Sequence, residues 1–275
     1  MPPSLSIVVP AYNEGARLTE SLPVILDYLN KTHPAAELIV VDDGSKDDTV
    51  AVSKRAFANT GSVDARVITY ETNRGKGYAV RCGLLACQAP IALFSDADLS
   101  TPITETPKVI DLIRQGECDL TFGSRALDRR LIGVHQPWRR EQGGRVFNLI
   151  VRLVTGLPFW DTQCGFKAFR MSACRPILEA ATIDRFGFDV ELLYVTLLAG
   201  LRLREIPVRW DHKVGMLDAS ANYARDSWRM VGEVKRIRRQ VDKGVYTEAI
   251  SAARTMSLVE QKQALHVSGA PDARR

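Results

Sequence analysis

The chain has 275 residues, 45% hydrophobic and 25% charged, with 37 Lys and Arg against 32 Asp and Glu for a net charge of +5. These fractions exclude a disordered chain, a collagen and a disulfide-stapled miniprotein, and they leave room for one large domain or two small ones around a substantial core. The positive balance suits anionic partners without choosing among nucleic acid, nucleotide and lipid headgroup.

Short β-branched runs predict strands over residues 5–10, 38–41, 65–70, 91–95 and 120–123, and amphipathic periods between them predict helices near 17–29, 47–58, 77–87 and 104–115. Strand, helix, strand at this spacing implies right-handed crossovers and a mostly parallel α/β sheet. After Arg125 the alternation breaks into an Arg-rich loop, a helix around 145–155, a strand over 165–169 and a helix over 190–198, as in an appended region. A further strand is expected over 203–210 and a basic helix over 222–243; beyond Ser251 the chain turns small and polar and is expected to fray.

Five scattered cysteines, with no paired C-x-x-C motifs at zinc-ligand spacing, suit a reducing, cytoplasmic setting. The N-terminal segment enters a strand-like run with no basic leader, so secretion is not expected. No apolar run reaches the ~18 residues of a spanning helix.

In an open parallel sheet, ligands sit beyond the carboxyl ends of the strands. Four such ends are polar here: Pro10-Ala11-Tyr12-Asn13-Glu14, Asp42-Asp43-Gly44-Ser45, Asn73-Arg74-Gly75-Lys76-Gly77 and Asp96-Ala97-Asp98. They are expected to meet on one edge. Asp96 and Asp98, one residue apart at a strand end, can share a hard divalent cation such as Mg²⁺ or Mn²⁺, although the same triplet also marks an ordinary turn. Adjacent Asp42 and Asp43 repel unless a cation or hydrogen-bond donors take up the charge; one could bond a base or ribose, or the pair could simply turn and cap the next helix. Gly75-Lys76-Gly77 places a cation and a flexible backbone before a helix N-terminus, which suits a phosphate, yet it is neither a Walker loop nor a dinucleotide fingerprint.

Arg125, Arg129, Arg130, Arg139, Arg140 and Arg145 crowd one stretch around His135 and Trp138, so a second anion site is plausible beside a solvated basic loop. Residues 225–243 carry seven Lys or Arg against three acids, with Trp228, Val231, Val234 and Val241 near one helical face. That helix could lie on an anionic membrane or pack on the main domain. No histidine has a Ser or Cys partner at a recognisable elbow, so a catalytic triad is not expected.

Taken in order, Ile7-Val8-Val9-Pro10-Ala11-Tyr12-Asn13-Glu14, Val41-Asp42-Asp43-Gly44-Ser45, Asn73-Arg74-Gly75-Lys76-Gly77, Ser95-Asp96-Ala97-Asp98-Leu99-Ser100-Thr101-Pro102, Gly123-Ser124-Arg125 and Asp161-Thr162-Gln163-Cys164-Gly165-Phe166-Lys167 resemble the family 2 glycosyltransferases of the GT-A fold, in their dolichyl-phosphate β-glucosyltransferase branch. Phe188-Asp189-Val190-Glu191-Leu192-Leu193 resembles a segment near that family's acceptor side. The resemblance runs from about residue 4 to 210. It implies a unit over residues 1–220, with a nucleotide-sugar half (1–125) and an acceptor half (126–220), followed by the basic helix (221–250) and a flexible tail (251–275). Residues matching Pro10, Tyr12, Glu14 and Asp43 then cradle the nucleotide, with Ala11, Asp42, Asn73, Gly75, Lys76 and Ala97 beside them, and Asp96 and Asp98 hold Mg²⁺ or Mn²⁺. UDP-glucose is the expected donor and polyprenyl phosphate the expected acceptor, with GDP-mannose, a soluble hydroxyl acceptor and a non-catalytic nucleotide-sugar sensor as alternatives; nucleic acid is not an expected partner.

The expected chemistry is direct inverting displacement, with Asp98 and the metal at the leaving diphosphate. Arg125, Arg140, Arg145 and Gln163 are expected on the acceptor, and Asp189 or Asp161 is the candidate base if one is used. The segment Trp210-Asp211-His212-Lys213-Val214-Gly215-Met216-Leu217 departs from the Gly-Ser-Lys or Gly-Ser-Arg usual in relatives, and the hydrophobic anchor helices of many relatives are not expected in this sequence. Lipid contact is therefore expected to be peripheral, on the cytoplasmic membrane face, through the helix of residues 145–158 or the basic C-terminal one.

Overall fold

A computed structural model describes residues 3–213 and 223–268. Strands β1 (Leu5–Ala11) and β2 (Ala36–Asp42) are buried along their whole length. Strands covered on both faces read as continuous apolar runs, which is why the sequence marks them clearly. Helices α1 (Gly15–Thr32), α2 (Thr49–Ala56) and α3 (Lys76–Ala86) connect β1, β2, β3 (Asp64–Thr69) and β4 (Ile91–Ser95). Beyond them come α4 (Thr106–Arg114) and β5 (Leu120–Ser124), then β6 (Ile132–Val134) and α5 (Trp138–Thr155). The chain continues through β7 (Phe166–Arg170), α6 (Met171–Ala180), α7 (Phe188–Leu198), β8 (Leu203–Pro207) and β9 (Trp210–Asp211), and closes with α8 (Tyr223–Asp242) and α9 (Thr247–Ser268).

The main sheet runs β3-β2-β1-β4-β7-β5-β8. β1 pairs in parallel with both β2 and β4, so the chain first builds outward on one side of β1 and then crosses to the other. Such a reversal opens a crevice at the carboxyl ends of the two strands, between the loops following Ala11 and Ser95. β7 is antiparallel to both β4 and β5, while β5 and β8 are parallel. Alternate residues of β1 feed opposite faces: Leu5, Ile7 and Val9 join the core under α1 and α4, and Val8 joins the core with α3, α6 and α7. Each fully buried aliphatic side chain contributes roughly 1.5–3 kcal/mol.

Four expectations need correction. The region after Arg125 is not appended: its strands β7 and β8 sit in the same sheet as β1 to β5. Helix α5 starts at Trp138 inside the expected Arg-rich loop, with Pro137 as its N-cap and an i,i+4 Glu141–Arg145 pair on its first turns. The single strand expected over 203–210 divides at Pro207, and the released chain pairs with β6 as β9. Finally, the tail beyond Ser251 is helical as far as Ser268. Ala253 and Ser257 are buried, α9 packs on α6, and Glu260 pairs with Arg170, so small side chains permit close helix packing where fraying was expected. Residues 269–275 and residues 214–217 of the divergent segment lie outside the described residues.

Candidate active site

The expected meeting of strand-end loops occurs. Ala11 accepts the Asp43 amide at 2.8 Å. Asn13, in the left-handed region at φ 54°, accepts the Lys46 amide at 2.8 Å and donates its own amide to Ser45 Oγ at 2.9 Å. Pro10 and Ala11 are thus fixed in the strand, whereas Tyr12 is exposed at the crevice mouth.

The adjacent carboxylates are resolved by donors. Asp43 accepts from Tyr70 Oη (2.8 Å), Asn73 Nδ2 (2.8 Å) and the amides of Arg74 (2.7 Å) and Gly75 (2.8 Å). Asp42 accepts from Thr69 Oγ1 at 2.9 Å and the Ser45 amide at 3.2 Å. The Gly75 amide of the segment that suits a phosphate is consequently spent on Asp43. Glycine is required there because φ is +113° and a Cβ would lie 2.5 Å from the Asp184 carbonyl oxygen.

Beyond β4, Lys76 Nζ lies 2.6 Å from Asp96 Oδ1, and Lys167 Nζ lies 2.6 Å from Asp189 Oδ1. Lys167 is wholly buried and also donates to the Cys164 carbonyl at 2.6 Å. Burial pushes the Asp189 carboxyl above the ordinary carboxylate range, against the pull of Lys167 and Lys76, and the Asp96 charge adds to the rise. Ala97 is buried between the two acids of the turn, and Asp98 Oδ1 accepts the Ser100 amide at 2.8 Å. Glu14 pairs with Arg17 at 2.8 Å, yet burial pushes its carboxyl up, and the Asp98 and Asp96 charges push in the same direction. Glu14, Asp96 and Asp98 therefore share one electrostatic neighbourhood.

Their donor set fits a hard divalent cation. Among the described residues no three His, Cys, Asp or Glu groups converge on a common point. A divalent cation here would be held by Asp96 and Asp98, with substrate phosphate and water completing the shell. Gly165 keeps room beside this pair, because a Cβ there would run into the Asp96 carboxylate.

A cavity of about 500 Å³ is lined by Arg125, Arg129, Arg145, Arg152, Leu149 and Trp160, among others, and it adjoins the acids through Arg125, whose guanidinium feels the Asp96 charge. Arg125 grips Asp161 in a fork, Nε to Oδ2 at 2.6 Å and Nη2 to Oδ1 at 2.7 Å, with its amide adding a third bond at 2.9 Å. Although burial works the other way, the Arg125 charge and hydrogen bonds hold the Asp161 carboxyl below the ordinary range. Gln163 lines the cavity and donates its side chain to the Phe186 carbonyl at 3.3 Å. Arg145 and Arg129 both pair with Glu141. Arg140 is half-buried away from the cavity lining, near enough to His212 to help lower that ring's pKa behind burial. Arg130 pairs with Asp128 in solvent, and the side chain of Arg139 lies outside the described residues.

Residues 6–178 match the model of "Glycosyl transferase family 2". The chain belongs to that family. It is similar to the dolichyl-phosphate beta-glucosyltransferases of Drosophila melanogaster (34% identical over 241 residues, 83% of this chain and 72% of the relative) and Homo sapiens (36% over 217 residues, 75% and 67%). The Saccharomyces cerevisiae protein of that name is 30% identical over 263 residues, 89% of this chain and 77% of the relative. Among solved structures, glucosyl-3-phosphoglycerate synthase from Mycobacterium tuberculosis in complex with UDP shares the fold at TM-score 0.59 and 22% identity, covering 84% of this chain and 80% of that one. The same enzyme with Mn²⁺, UDP-glucose and phosphoglyceric acid gives TM-score 0.58 and 21% identity, covering 84% and 79%. The protein is thus a glycosyltransferase with the GT-A fold.

Sequence reasoning about this glycosyltransferase missed three charged residues that hold its site together. Lys167 hides in the run Phe166-Lys167-Ala168-Phe169, where a lysine amid buried residues was the available signal. Glu205 accepts from Ser124 Oγ (2.6 Å), the Trp160 amide (2.9 Å) and the Asp161 amide (2.7 Å), so it staples β8 to the loops carrying Arg125 and Asp161. Glu141 had no signal beyond its place among arginines.

Proposed function

We propose that this glycosyltransferase transfers glucose from UDP-glucose to a polyprenyl phosphate of the dolichyl type, with inversion and with Mg²⁺ or Mn²⁺ at Asp96 and Asp98. The observation that carries this reading is the cavity beside the acids: arginines for a phosphate, and Leu149, Phe147 and Trp160 for a hydrocarbon chain. The names of the relatives support the same donor sugar and acceptor class. Five unpaired cysteines, four of them buried, support a reducing, cytoplasmic setting.

A bound cation supplies positive charge to the departing diphosphate. Everything else falls to the chain. Lys76 and the Asp43-ordered loop position the nucleotide, and Arg145 with Arg129 gathers the acceptor phosphate. A phosphate monoester is largely ionised at neutral pH, its second pKa being about 6, so one of its oxygens can attack the anomeric carbon without a base. The new C–O bond forms as the bond to the UDP oxygen breaks, and that electron pair leaves with UDP. A hydroxyl acceptor would instead need a free carboxylate. Asp161 is held in its charged form by Arg125, and Asp189 is closed off by Lys167.

Incubating the full chain with UDP-glucose or GDP-mannose, Mg²⁺ or Mn²⁺, and either polyprenyl phosphate or a small alcohol tests this reading. The expected result is UDP release that depends on polyprenyl phosphate and stops with EDTA. Release driven equally by the alcohol, or GDP release in place of UDP, would overturn it.

A further inference from the structure

Two helices were candidates for lipid contact, and their surroundings differ. On α8 the described apolar side chains face inward: Val234 and Ile237 are fully buried, and Met230, Val231 and Val241 pack on the core. On α5 they divide. Phe147, Val151 and Thr155 are buried, whereas Trp138 (72% exposed), Val146 (58%), Leu149 (53%) and Leu153 (77%) face away from the core. At about 100° per residue these four positions fall within one sector of roughly 80°, opposite the buried one. Gln142 falls in the same sector, so the stripe is unbroken over Val146, Leu149 and Leu153, with Trp138 at the helix's first residue beyond the glutamine.

One edge of the stripe is cationic and leads into the cavity. Arg145 and Arg152 lie beside it, and both line the cavity together with Leu149 and Trp160. Trp160, 57% exposed, carries the Arg152 guanidinium 4.1 Å from its ring centroid. An apolar face flanked by arginines and tryptophans complements an anionic headgroup layer above acyl chains. A second copy of the chain would instead set these arginines against their own kind.

We infer that α5 lies flat on an anionic phospholipid surface, its Trp138, Val146, Leu149 and Leu153 face in the interfacial layer and the arginine-lined cavity opening onto the lipid. The inference rests on the polyprenyl phosphate reading and deepens it, since it names the surface from which such an acceptor enters. Leu149 is shared by stripe and cavity, so the acceptor's chain leaves the cavity at Leu149, directly into the lipid.

The test is sedimentation of the full chain with vesicles of phosphatidylcholine alone or mixed equally with phosphatidylglycerol. Binding is expected only to the mixed vesicles and should weaken with salt. V146E/L153E, which alters two exposed residues outside the cavity, should lower the partition coefficient roughly tenfold or more. It should leave the thermal melt and UDP release toward a short, water-dispersed polyprenyl phosphate unchanged. V146S/L153S should give a smaller loss, separating lost apolar area from added negative charge. Failure of the wild-type chain to bind mixed vesicles, or equal binding by V146E/L153E, overturns the inference. So does a wild-type dimer that the variant splits, which would give the stripe to a second copy. Vesicle binding without transfer to any acceptor would remove the functional reading and leave the docking face standing; transfer without vesicle binding would do the reverse.

Discussion

Asp161 stays charged because Arg125 holds both of its oxygens, and the pair's contribution to stability follows from that. Its folded-state pKa is depressed below the unfolded value, so the contribution is complete above an unfolded carboxyl pKa of about 3.9 and vanishes as pH falls through the lower folded value. D161N should therefore melt below wild type by a constant margin from pH 8 down to about pH 5, and the margin should close at more acid pH. Differential scanning calorimetry across that range checks it. Gly75 makes a separate case: G75A forces a side chain into φ +113° against the Asp184 carbonyl and should cost about 1–3 kcal/mol or more, read from the urea midpoint. Asp98 belongs to neither structural pair. D98A should leave stability nearly unchanged while weakening Mn²⁺ binding by at least roughly tenfold, as measured by calorimetric titration in the presence of UDP.

Elements that bury both faces announce themselves, and β1, β2, β4 and β5 were legible for that reason, whereas the part-exposed β3 showed only through its β-branched residues. The motif residues at their ends were legible too, since Asp42, Asp43, Asp96 and Asp98 sit where a parallel sheet puts its ligands. What stayed hidden depends on distant partners. The start of α5 is masked by arginines and Gly143-Gly144, and α6 carries Pro176 in its interior. Helix α9 has small polar residues whose burial against α6 no local pattern reveals. Glu205 and Lys167 act on chain segments dozens of residues away. Deleting residues 251–275 should strip Ala253 and Ser257 from α6 and take Glu260 from Arg170. Buried Asp119 would then rely on Arg170 and Arg202 without Ser257. At about 2–4 °C per kcal/mol for a chain of this size, a drop in melting temperature of about 5 °C or more is expected.

At the scale of the molecule, the proposed donor and cation should bind the native state together. Ligand at a hundred times its dissociation constant stabilises by about 2.7 kcal/mol, so UDP with Mn²⁺ should raise the melting temperature by roughly 5–10 °C. UDP with EDTA, or D98A with both ligands, should show little of that rise in a thermal-shift assay. The antiparallel strand β7 bears on how such binding is accommodated. It is stitched to β4 on one side and β5 on the other, and it carries Lys167 under Asp189 at the same time. Strands β4 and β5 are thereby joined through β7 in one continuous sheet. The proposed donor should therefore quiet the amide exchange of the strand-end loops and leave that of β4, β7 and β5 untouched, which hydrogen exchange with and without UDP and Mn²⁺ checks.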